Sequence, residues 1–151
     1  MNIKIAALLS TALLTVSMVA GADVPGRHPH YLHALADLRT ARWLISHGRV
    51  DNAVGGHEHA AMSEIDLALY EIKHAAIDDG KDPNDHGAID ESLDAPGRLH
   101  NALNLLNKVR SDISTEQDDP NSQGLRVRAV DHVTGAIHET EIAIHDLEDH
   151  R

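Results

Sequence analysis

The residues best equipped for chemistry in this chain are its thirteen histidines, all of which fall after residue 22. The stretch HPHYLHALADLR, residues 28 to 39, sets His28, His30 and His33 within six positions and then turns into an apolar helical pattern. Imidazole is the commonest side-chain ligand for copper, nickel and zinc, and on a helix only residues three or four apart share a face. By that spacing His30 with His33, and His33 with Asp37, can act together. Glu71, His74 and Asp78 form a second row, and His138, Glu141 and His145 a third and better one. His57-Glu58-His59 adds two imidazoles near a helix start. The competing reading of any one row is solvated surface, since an acidic, histidine-rich helix produces such spacings by chance.

Catalysis finds less support. There is no glycine-rich phosphate loop, nucleophile motif or HExxH, and GHEHAA has the wrong spacing for a zinc protease, so the chain is read as a non-enzyme. The absence of cysteine excludes thiolate metal sites, disulfides and c-type haem attachment.

Residues 1–22 have the parts of a secretory signal peptide: Lys4, an uncharged run from Ile5 to Ala20, and the small residues Ala20-Gly21-Ala22. The run is short for a membrane span and has no basic stop after it. Cleavage there leaves residues 23–151 as a single periplasmic or secreted domain. Its net charge is one more negative than the −11 of the full chain, since Lys4 is the only charged residue lost. Such a surface repels nucleic acid and anionic lipid and attracts cations, so metal ions are the partners to which it points.

With one Trp, two Tyr and no Phe, the core must be aliphatic. Apolar residues recur at steps of three and four in four segments, which predicts helices near 29–47, 52–78, 97–116 and 123–149. Leu35, Leu38, Ile65, Ile72, Leu103, Leu106, Val133 and Ile137 are the expected core. Short loops favour antiparallel neighbours, so the expected architecture is an all-α, up-down-up-down four-helix bundle in which the long acidic connection, roughly 78–95, acts as a simple crossover. The halves align at an offset of 67 or 68: Pro29 with Pro96, His33 with His100, Ala68 with Ala136, Glu71 with Glu139. A duplicated helical hairpin and the chance agreement of amphipathic helices both account for this.

That topology would bring His33, His100, His74 and His145 to one level, at one end of the bundle. At about 100° per residue each of the four lies off its helix's apolar stripe, so a central haem or di-metal cage is disfavoured. The expected sites are shallow and completed by water. They draw on His28, His30, His33, His74, His100, His138, Glu141 and His145, and hold Cu²⁺, Ni²⁺ or Zn²⁺ without strong selectivity.

The stretches DHVTGAIHETEIAIHD and SHGRVDNAVGGHEHAA, with the HVT-x-AI run at His132 to Ile137, resemble helices of the small metal-binding proteins. These are secreted, histidine-rich four-helix bundles of bacteria. The resemblance covers about two helices and implies a periplasmic protein that binds several divalent ions and scavenges copper. Histidine is sparser here than in that family, and the acidic connection is longer. The rival expectation is a structural or interaction module of the periplasm whose histidines serve only solubility.

Overall fold

The computed structural model describes residues 28–47, 55–78, 80, 95–116 and 124–149. The expected signal peptide and most of the acidic connection lie outside these residues. Four helices are present, α1 (Pro29–Ser46), α2 (Gly56–Asp78), α3 (Ala95–Thr115) and α4 (Leu125–Asp149), and the described residues contain no strand.

The helix ends follow local chemistry. Pro29 opens α1, where its missing N–H and fixed φ carry no penalty. At the other end the His47 ring (Nδ1, 3.0 Å) and the Ser46 hydroxyl (2.9 Å) both bond to the Trp43 carbonyl. α2 begins at Gly56 rather than near residue 52, because the Glu58 carboxylate reaches back to accept the Gly55 N–H and sets the first turn there. Beyond its end, Gly80 takes φ +73° and donates to the Ile77 carbonyl at 2.8 Å, a left-handed stop that suits glycine. α3 starts two residues earlier than expected, with Pro96 inside its first turn.

The core is the expected aliphatic one. Leu35, Leu38, Ile65, Ile72, Leu106, Val133 and Ile137 are buried, while Leu103 is only partly buried against them. Tyr31 and a set of alanines, among them Ala34, Ala61, Ala68, Ala102 and Ala136, fill the gaps between the larger side chains. Small residues at these positions let helix axes approach closely.

The order of directions corrects the up-down-up-down expectation. α2 packs on α4 and α1 on α3 most heavily, α3 on α4 and α1 on α2 less, and the diagonal pairs α1/α4 and α2/α3 do not pack together. Cross-helix pairs then give the directions. Glu116, just past α3, meets His28 at the start of α1, and Lys108 meets Asp37, so α3 is antiparallel to α1. His57 pairs with Glu139, Glu64 with His132 and Glu71 with Arg128, so α4 is antiparallel to α2. His100 with Glu148, and Arg126 with the Ser114 carbonyl, run α3 against α4, and these three antiparallel seams together leave α1 antiparallel to α2. The order is therefore up-down-down-up. α2 and α3 run the same way, and the connection between them joins opposite ends of the bundle. Only a long connection permits this, and crossovers of that kind are known in bundles.

The pairings also bear on the repeat. Glu64 and His132, which face each other, stand 68 residues apart, and His57 and Glu139 lie seven residues to either side of them. Arg39 and Leu106 stand 67 apart, and the Asp37–Lys108 pair brackets them by two residues on each side. Both seams are thus centred where the two halves of the sequence match. A two-fold relation between the hairpins gives this centring, and so does the side-by-side packing of antiparallel helices of similar length.

At Gly135 the Glu64 side chain of α2 lies close against α4. A Cβ built there would stand 3.1 Å from Glu64 Cδ, so the Glu64 side chain lies across a turn of α4 that carries no side chain. In an ordinary helix interior Gly→Ala gains about 1 kcal/mol. Gly135→Ala should fall clearly short of that gain in urea unfolding, and Glu64→Ala in the same chain should restore it. Full gain in the single variant would show that the approach is not tight.

Candidate metal-ligand surface

The up-down-down-up order redistributes the histidines. One end of the bundle gathers the starts of α1 and α4 with the finishes of α2 and α3, and carries His28, His30, His33 and His74. The other gathers the starts of α2 and α3 with the finishes of α1 and α4, and carries His47, His57, His59, His100 and His145. The expected single level of His33, His100, His74 and His145 does not exist. His33 and His74 are at one end and His100 and His145 at the other, because α3 and α4 are each reversed relative to that expectation.

Facing agrees with the helical periodicity. His30, His33, His74, His100, His138, Glu141 and His145 are all exposed. His28 is not: it is 5% exposed, and its Nδ1 lies 3.1 Å from Glu116 Oε2, a carboxylate 6% exposed. The other Glu116 oxygen accepts the His30 N–H at 2.8 Å, and the Tyr31 ring lies 5.2 Å from the imidazole. α1 has no side-chain cap of its own, so the carboxylate that closes its first turn comes from the far end of α3. The burial of His28 removes it from any shallow surface site. The sequence offered no signal for it, since Glu116 and His28 are 88 residues apart.

The acid–His rows fare unequally. Glu71 is turned toward α4, where Arg128 holds both its oxygens at 2.9 Å, and His74 sits edge-on to Tyr70. That row is broken, and the Asp78 side chain lies outside the described ones. Asp37, the neighbour of His33, is bonded by Lys108. The row His138, Glu141, His145 keeps its outward position, with His145 Nδ1 at 3.2 Å from Asp149. Among the described residues no three histidines or carboxylates already stand in ligand geometry.

A different feature stands out, which helix-by-helix spacing missed. Histidines are bonded through Nδ1 to carboxylates on neighbouring helices: His57 to Glu139 at 2.7 Å and His132 to Glu64 at 2.8 Å, both partly exposed. Such a carboxylate fixes the ring orientation and leaves Nε2 for a ligand, which is how metal-binding imidazoles are commonly held. One signal was present in the sequence: His57, Glu64 and Glu71 recur every seven residues along one edge of α2, as charged residues do beside a helix seam. The partners on α4, Glu139, His132 and Arg128, could be assigned only with the direction of α4 known.

Electrostatics at His57 follow from this. Its hydrogen bond to Glu139, with added attraction from Glu139, Asp146 and Glu58, raises its pKa above the ordinary imidazole value. A raised folded pKa stabilises the fold fully below the unfolded value of about 6.5, and that contribution is lost as pH rises through the folded value. The thermal midpoint of wild type minus that of Glu139→Gln should therefore be larger at pH 6 than at pH 8.5. A difference independent of pH would remove this pairing from the account. Glu116→Ala, by contrast, strips a buried imidazole and a helix-start N–H of their acceptor. It should cost about 1–3 kcal/mol in urea unfolding, with faster amide exchange at His30, and unchanged values would show that the contact contributes nothing.

No family model, curated protein sequence or solved structure matches this chain, so the likeness to the small metal-binding proteins rests on the quoted residues alone.

Proposed function

We propose that this protein binds and buffers divalent transition metal ions, copper, nickel or zinc, in the periplasm or outside the cell, and that it is not an enzyme. The observation that carries the reading is the set of surface imidazoles held at Nδ1 by a carboxylate, His57, His132 and His145, with Nε2 left as the second ring nitrogen. The net acidic surface adds a general attraction for cations. With no preassembled triad among the described residues, each site there offers one or two protein ligands and takes the rest from water. Binding of that kind is labile and poorly selective, as suits a buffer more than a delivery protein.

The test is calorimetric titration of the metal-free protein with Cu²⁺, Ni²⁺ and Zn²⁺. Saturable binding near pH 7.5 should weaken steeply between about pH 7 and pH 5, because protons compete for imidazole. Heats that do not saturate for any of the three ions would overturn the reading. Binding that persists unchanged to pH 5 would assign it to carboxylates alone.

One observation favours a second reading, an interaction module. Leu67 (44% exposed), Tyr70 (61%) and Ile77 (56%) form an apolar stripe along the outer side of α2, with His74 between them. Three such side chains on one face exceed what isolated surface residues need. In that reading Tyr70→Ser would alter self-association or partner capture and leave metal isotherms unchanged.

A further inference from the structure

Where the start of α2 meets the end of α4, the surface opens into a cavity of about 260 Å³. Gly55 and Gly56 form part of its wall without side chains, Ala143 and Leu147 supply an apolar part, and His57, Glu58 and Asp146 supply the polar one. The volume is below the roughly 300–1,000 Å³ of ordinary small-molecule pockets, yet ample for an ion with several waters at about 30 Å³ each.

We propose that this cavity is the preferred seat of a divalent transition metal ion, held by His57 Nε2 and the Asp146 carboxylate and completed by water. This rests on the metal-binding reading above. Three features select this place over the other histidines. His57 is pre-oriented, since Glu139 on α4 accepts from its Nδ1 at 2.7 Å. The surroundings are negative: Glu139 is bonded to His57, and Glu58 and Asp146 line the cavity beside it, a set of carboxylates that favours a dication. The site also bridges two helices, so an ion here ties the α2 start to the α4 end. Glu58 stays with the Gly55 N–H and contributes charge, not a ligand.

The experiment uses the purified protein with Cu²⁺ and Ni²⁺ as probes. Substoichiometric Cu²⁺ should broaden the amide resonances of residues 55–59 and 143–147 before any others. His57→Gln and Asp146→Asn should each weaken the tightest class of Ni²⁺ sites about tenfold or more, the size typical of losing a ligand or its support. His33→Gln and His74→Gln should leave that class unchanged. Asp146 is exposed, so its variant keeps the fold even if His57→Gln disturbs the start of α2. Saturable wild-type binding that Asp146→Asn leaves unaltered, or broadening that begins at residues 28–33, would overturn the site and leave metal binding standing. An absence of saturable binding in wild type would overturn both.

Discussion

Every neighbouring pair of helices in this bundle is antiparallel, and the placement of each functional group depends on that constraint. Antiparallel packing sets the positive start of one helix beside the negative finish of the next, which is favourable on all four seams at once. With α1 joined to α2 and α3 to α4 by short links, two arrangements satisfy it. Either the second hairpin follows the first around the bundle, or it is turned end over end. The chain takes the turned arrangement, and the long connection between α2 and α3 makes it reachable. Reversing that one hairpin moves His100 and His145 from the α1 start to the opposite end.

The same seam geometry explains why histidine is used where a lysine or arginine would otherwise stand. Of the α2/α4 pairs His57–Glu139, Glu64–His132 and Glu71–Arg128, two use an imidazole and one a permanently charged guanidinium. An imidazole in such a pair can hold its bond to the carboxylate whether or not it carries a second proton, and its outer nitrogen can exchange that proton for a metal ion. An arginine cannot. On the metal-binding function proposed above, the pairing joins a structural role with a chemical one, and proton and metal compete for the same atom.

Burial separates the histidines more sharply than their number suggests. His28 is consumed by architecture, as the hinge between the α1 start and Glu116. His47 stacks on Trp43 with ring centroids 4.3 Å apart and closes the end of α1. Other rings, among them His30 and His33 on α1, His74 on α2, His100 on α3 and His138 and His145 on α4, are exposed. A count of histidines overstates the ligand supply, because caps and buried contacts draw on the same side chains.

Four helices, their aliphatic stripes and the outward facing of His30, His33, His74, His100, His138 and His145 were legible in the sequence by itself, since all are consequences of a 3.6-residue period. Helix starts were legible to within a few residues, with local exceptions such as the Glu58 carboxylate that begins α2 at Gly56. The direction of the second hairpin was not legible. Periodicity says which side of a helix is buried, but it is unchanged when the helix is turned end for end. Only tertiary packing decided that α3 runs against α1, and with it that Glu116 meets His28, Glu139 meets His57 and Glu64 meets His132. These contacts join residues 68 to 88 positions apart, and they depend on how whole helices are laid together, which no local spacing records.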